Sequence, residues 1–142
     1  MNNIPTEELE DALEKGKDID IFLDENKDNF VSDTFSDYYI SILEKNGISK
    51  ADAIRETYLK DNYIYQILRG LKSNPSRNIV LQLAFGAHMN LTETNRALKL
   101  CGLSVLYPKI KRDAVIISAI NNKQTLKECN LKLASLSEER VR

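Results

Sequence analysis

The 142-residue chain has no tryptophan, one histidine and two cysteines, and each scarcity removes a class of chemistry. With His88 as the lone histidine, a histidine-based metal cluster or a Ser-His-Asp arrangement lacks material. Its place near the end of a helical stretch suits capping or surface exposure. Cys101 and Cys129 lack metal-ligand spacing. They read as buried thiols in a reducing compartment rather than as a disulfide. The five glycines form no phosphate-cradling loop. The paired carboxylates Glu7–Glu8 and Glu138–Glu139 adjoin in acidic or terminal segments, where nothing holds them at catalytic distance. These absences predict a protein that is not an enzyme and uses no cofactor or metal. No apolar run approaches the ~20 residues of a membrane span. The opening MNNIPTEELEDALEK lacks the basic-then-apolar plan of a secretory signal. The expected location is the cytoplasm, with no membrane partner.

What is present is charge, unevenly placed. Residues 1–37 hold 12 acidic and 3 basic residues, a net of −9, whereas residues 38–142 hold 9 acidic and 17 basic, a net of +8. The whole chain returns to −1. A cationic body suits an anionic partner, while an acidic flank suits solubility. The flank itself admits two readings: it competes with the anionic partner for the basic face, or it packs quietly on the helices.

The pattern is helical throughout, since no stretch alternates with period two and no Asn-Gly or Asp-Gly hairpin turn occurs. Residues 5–16 and 18–26 are short acidic amphipaths. From Ser32 the signals strengthen. Phe35, Tyr39, Ile42 and Leu43 form one stripe that ends at Gly47. Ser49 opens the next helix, with Asp52 three residues on in the manner of a capping box. Asp61 is the expected cap of DNYIYQILRG, and Gly70 its left-handed terminator. SRNIVLQLAFGAHMN, capped by Ser76, is apolar almost all round and predicts a buried central helix. Thr92 is the expected cap of the following helix, which closes at Gly102.

The last third repeats what precedes it. RNIVLQLA (77–84) matches RDAVIISA (112–119) with its arginines 35 residues apart, and T…ALKLCGL matches T…NLKLASL with its threonines 33 apart. That mismatch predicts a second copy with a shorter loop. LSVLYPK (103–109) joins the copies, and the aperiodic tail SEERVR (137–142) is expected to be loose.

The stretch ISKADAIRETYLKDNYIYQILRGLKSNP (48–75) resembles the helix-turn-helix core of the lambda-repressor-like (XRE/Cro-type) family. In particular it resembles a bacterial subgroup with a Tyr-x-Tyr-Gln recognition helix, here YIYQI (63–67), a following PSR (75–77) and a continuation LYPKIKRDAVII (106–117). The likeness spans roughly residues 34–136. It implies an all-α fold: an acidic helical extension over 1–31, a five-helix DNA-binding domain over 32–103, and a C-terminal helical hairpin with its tail over 104–142. The implied function is a transcriptional regulator that binds double-stranded DNA as a homodimer, the C-terminal hairpin serving as dimer or protein-partner surface.

At about 100° per residue, Ile64, Ile67, Leu68 and Leu71 share one sector of the recognition helix. Asn62, Gln66 and Arg69 face the other way, with Tyr63 and Tyr65 on the shoulders. Amide and guanidinium groups pair with the base edges of adenine and guanine in the major groove, so Asn62, Tyr63, Gln66 and Arg69 are the expected base-contacting residues. Ser49, Lys50, Lys60, Tyr65, Lys72 and Arg77 are the expected phosphate contacts. A surface of solvated tyrosines, with Arg69 paired to a carboxylate, is the alternative. It would belong to a helical adaptor that keeps the scaffold without binding DNA.

Overall fold

The computed structural model describes Ile19, residues 34–70 and residues 75–142. The chain divides into two units, Met1–Ser32 and Asp33–Arg142. The expected helices over 5–16 and 18–26 lie outside the described residues, as do Leu71 and Lys72. Among the described residues the fold is all-helical, with seven helices in the second unit. They are α1 (Phe35–Asn46), α2 (Lys50–Arg55), α3 (Asp61–Leu68), α4 (Arg77–Gly86), α5 (Leu91–Leu100), α6 (Lys111–Asn121) and α7 (Leu126–Ser135).

Local chemistry accounts for most boundaries. Thr34, Ser49 and Ser76 each turn a hydroxyl onto the backbone amide three residues ahead, satisfying a donor that the first helical turn leaves free. Gly47 ends α1 at φ 66°, a conformation cheap only without a Cβ. Two expected caps are corrected. Asp61 lies inside the first turn of α3, where its charge suits the helix dipole, and Lys60 holds the cap position with no side-chain bond. The cap of α5 is Asn90 rather than Thr92. Its side chain accepts from Glu93 N at 2.8 Å, and the Glu93 carboxylate accepts from Asn90 N at 3.0 Å, a reciprocal capping box.

That correction changes the repeat. Thr125 and Glu128 form the same reciprocal box at the start of α7, 35 residues beyond Asn90 and Glu93. The left-handed residues His88 and Lys123 keep the same offset, as do Gly102 and Ser137. The second copy therefore has no shorter loop, and the period is uniform. The two hairpins, α4–α5 and α6–α7, meet reciprocally, α4 against α7 and α5 against α6. One hydrophobic cluster runs through both, from Phe35 to Val141. At its centre every residue of α4 from Val80 to Gly86 is buried, as the near-continuous apolar pattern predicts.

The tail is docked, against the expectation of a loose end. Val141 is fully buried, and its backbone amide and carbonyl both bond the Asn130 side chain, at 2.7 and 2.9 Å. Arg112 donates to the carbonyls of Glu139 and Arg140. In the first copy Arg77 does the same to Ser104 and Val105, and Asn95 accepts from Leu106 N. Each hairpin thus ties down the chain that leaves it with an arginine and an asparagine, 35 residues apart in the two copies.

Candidate nucleic-acid interface

The turn between α2 and α3 sets how the outward residues of α3 are presented. Thr57 donates its hydroxyl to Ile54 O at 2.8 Å and accepts from Leu59 N at 3.3 Å. The amide of Tyr58 donates to Gln82 Oε1 at 2.9 Å, from a side chain buried in the middle of α4. A buried amide oxygen left without a donor costs about 1–3 kcal/mol, so this bond pins the turn to the central helix. Sequence reasoning missed Gln82. Its signal was a single polar residue inside the apolar run Val80–Phe85. On the other side of the turn, Ala53 of α2 packs against Gly86 so closely that a Cβ there would lie 2.5 Å from the Ala53 carbonyl oxygen.

α3 itself is amphipathic as read. Ile64, Ile67 and Leu68 are buried, and the Ser36 hydroxyl of α1 donates to the Leu68 carbonyl. Asn62, Tyr65 and Arg69 are exposed and Tyr63 and Gln66 half-buried. At about 100° per residue, Asn62, Gln66 and Arg69 fall within one narrow sector opposite the buried seam. Asn62, Gln66 and Arg69 make no side-chain hydrogen bond or ion pair with another described residue. Gly70 closes the element at φ 74°.

The expected phosphate contacts separate into groups. Lys50 and Lys60 are exposed, one at the start of α2 and one just ahead of α3. Ser49 is exposed and already occupied as the α2 cap, its hydroxyl accepting from Asp52 N at 3.1 Å. Tyr65 is 41% exposed. Lys72 lies outside the described residues. Arg77 is corrected: its guanidinium forks onto Asp113, Nη1–Oδ1 3.1 Å and Nη2–Oδ2 2.9 Å, and also serves the Ser104 and Val105 carbonyls. The Asp113 side chain is 3% exposed. A cation so engaged is committed to holding the hairpins together. Arg55 pairs with Asp52 at 3.0 Å in an exposed position, a bond readily exchanged for solvent or another anion.

His88 is exposed and stands 3.6 Å from Glu56 at the end of α2. Cys101 and Cys129 are free thiols, and burial pushes each up to about 11, which keeps them protonated at neutral pH. Among the described residues no group of three or more His, Cys, Asp or Glu side chains is placed to hold a metal ion. No described helix is long and apolar enough to cross a membrane. In comparison with known proteins, no family profile, no curated protein and no solved structure matches the chain.

Proposed function

We propose that the chain is a sequence-specific, double-stranded-DNA-binding transcriptional regulator of the lambda-repressor-like kind, with α2 and α3 as its helix-turn-helix. The observation that carries this reading is the grouping of Asn62, Gln66 and Arg69 on the outward face of α3, with exposed Lys50 and Lys60 on its approach. Asn and Gln bond adenine's N6 and N7 in pairs, and Arg bonds guanine's O6 and N7, each worth about 1–3 kcal/mol of discrimination. Tyr63 and Tyr65 would flank the groove, and Ser49, Lys50 and Lys60 would meet phosphate. One such helix covers few base pairs, so two copies on half-sites about 34 Å apart would make the full complex. Binding requires no cofactor, and the site of action would be the cytoplasm.

The second reading is a helical protein–protein adaptor without DNA binding, favoured by the exposed rings of Tyr58 and Tyr65 on and beside the same face. Titration of the full chain against random duplex at low salt separates the two. A regulator shows non-specific affinity that falls steeply as salt rises, because bound phosphates release counterions. An adaptor shows none.

A further inference from the structure

The second hairpin has a face that the first does not leave open. In the first copy that face is sealed by α1. Tyr39 Oη donates to Leu83 O at 2.8 Å, Lys45 Nζ bonds Glu93 Oε2 at 2.8 Å, and the Arg96 guanidinium lies 5.4 Å from the centre of the Tyr38 ring. Val80, Leu83 and Ala97 beneath it are fully buried. Thirty-five residues on, these positions are Val115, Ser118 and Lys132, with Glu128 and Leu131 in place of Glu93 and Arg96. They line an open groove of about 770 Å³ between α6 and α7. Leu131, in its wall, is 65% exposed.

We propose that this groove receives an acidic amphipathic helix from a partner protein. The internal repeat supplies the shape argument. The same hairpin, with the same 35-residue register, already seats a helix in its first copy. The seated helix, α1, buries Phe35, Tyr39, Ile42 and Leu43, the i, i+4, i+7, i+8 spacing of helix-in-groove recognition. Charge selects the occupant. Lys111 and Lys132 line the second seat where the first has Ser76 and Ala97, so two cations join the single carboxylate, Glu128. Glu128 keeps the acceptor that takes the Lys45 ammonium in the first seat, while Lys111 and Lys132 add a demand for carboxylates that the first seat lacks. The same cations oppose a back-to-back contact between two copies, which would bring like charges together. Leu131 supplies the apolar anchor, at a position filled by a cation in the first copy.

The probe is a labelled peptide of residues 34–47, which carries the α1 stripe, the carboxylates Asp37 and Glu44, and Lys45 to meet Glu128. Added to the full chain, it should bind saturably, and Leu131→Asp in the protein should weaken it by about tenfold or more. Lys111→Glu with Lys132→Glu should weaken it by about fivefold or more, and a peptide with Lys45→Glu should bind less tightly, since its new carboxylate would meet Glu128. Leu131→Asp should leave the thermal midpoint unchanged, since the side chain is exposed, so a loss of binding cannot be laid to unfolding. Absence of saturable binding, or binding indifferent to Leu131→Asp, overturns the proposal. So does sedimentation showing a dimer of the chain that Leu131→Asp dissolves, since the face would then belong to a second copy.

Discussion

Arg77 and Asp113, 36 residues apart in sequence, close a two-pronged ion pair across the junction of the hairpins, with the carboxylate also accepting from Tyr107 N at 3.0 Å. Their repeat counterparts, Arg112 and Asn78, meet at 2.8 Å. Each hairpin therefore sends its arginine to the polar residue that follows the other's arginine. Arg77→Ala strands a buried carboxylate and should cost about 3 kcal/mol in chemical denaturation. Arg77→Lys should recover little, because an ammonium cannot fork. A loss under 1 kcal/mol would return Arg77 to the pool of residues free to meet phosphate.

Gly86 is required by proximity. Gly86→Ala places a Cβ 2.5 Å from a backbone oxygen of α2, so that short helix must move away from α4. The expected cost is about 1–3 kcal/mol, with hydrogen exchange accelerating in residues 50–55. Unchanged exchange there would show that α2 is not held by this contact.

Glu93 ties α1 to α5. Burial alone would raise its pKa, but the Lys45 ammonium and the Asn90 amide hold the carboxyl below the usual range. A depressed pKa stabilises the fold above the unfolded-state value, near 4.3, and that contribution is lost as pH falls through the lower folded value. Stability should therefore decline on acidification below about pH 5, and Glu93→Gln should flatten that decline. Equal pH profiles for wild type and Glu93→Gln would contradict it.

The docked tail has its own test. Val141→Ala removes two buried methyl groups and should cost about 2 kcal/mol, although the residue is the last but one. A neutral result would mean that the tail leaves its seat in solution.

Much of this was legible. Periodicity located the helices, hydroxyl residues located the caps at Ser49 and Ser76, and the apolar run of α4 announced its burial. The misreadings have physical causes. Asn90 and Thr92 are both good caps; only Asn90 has a glutamate three residues on, and reciprocal capping favours it. Choosing Thr92 moved the repeat by two residues and invented a shorter loop. The tail has no periodicity because one valine and two backbone groups hold it, a contact that the offset from Leu106 would have disclosed. Arg77 sat in a basic run, and composition cannot tell a cation facing solvent from one clasping a carboxylate 36 residues away. The outward face of α3 followed directly from helical spacing, whereas Gln82 stood out only as a lone polar residue in an apolar run, and its bond to the turn follows only once α4 is folded against α2.

The central claim is that Gln66 and Arg69 read base edges. Its most direct measurement is fluorescence anisotropy on two duplexes at one salt concentration, one selected for tight binding and one random. Gln66→Ala and Arg69→Ala should each lose about 1–3 kcal/mol on the selected duplex and almost nothing on the random one, with the thermal midpoint unchanged. Equal losses on both duplexes, or no loss on either, would contradict the account.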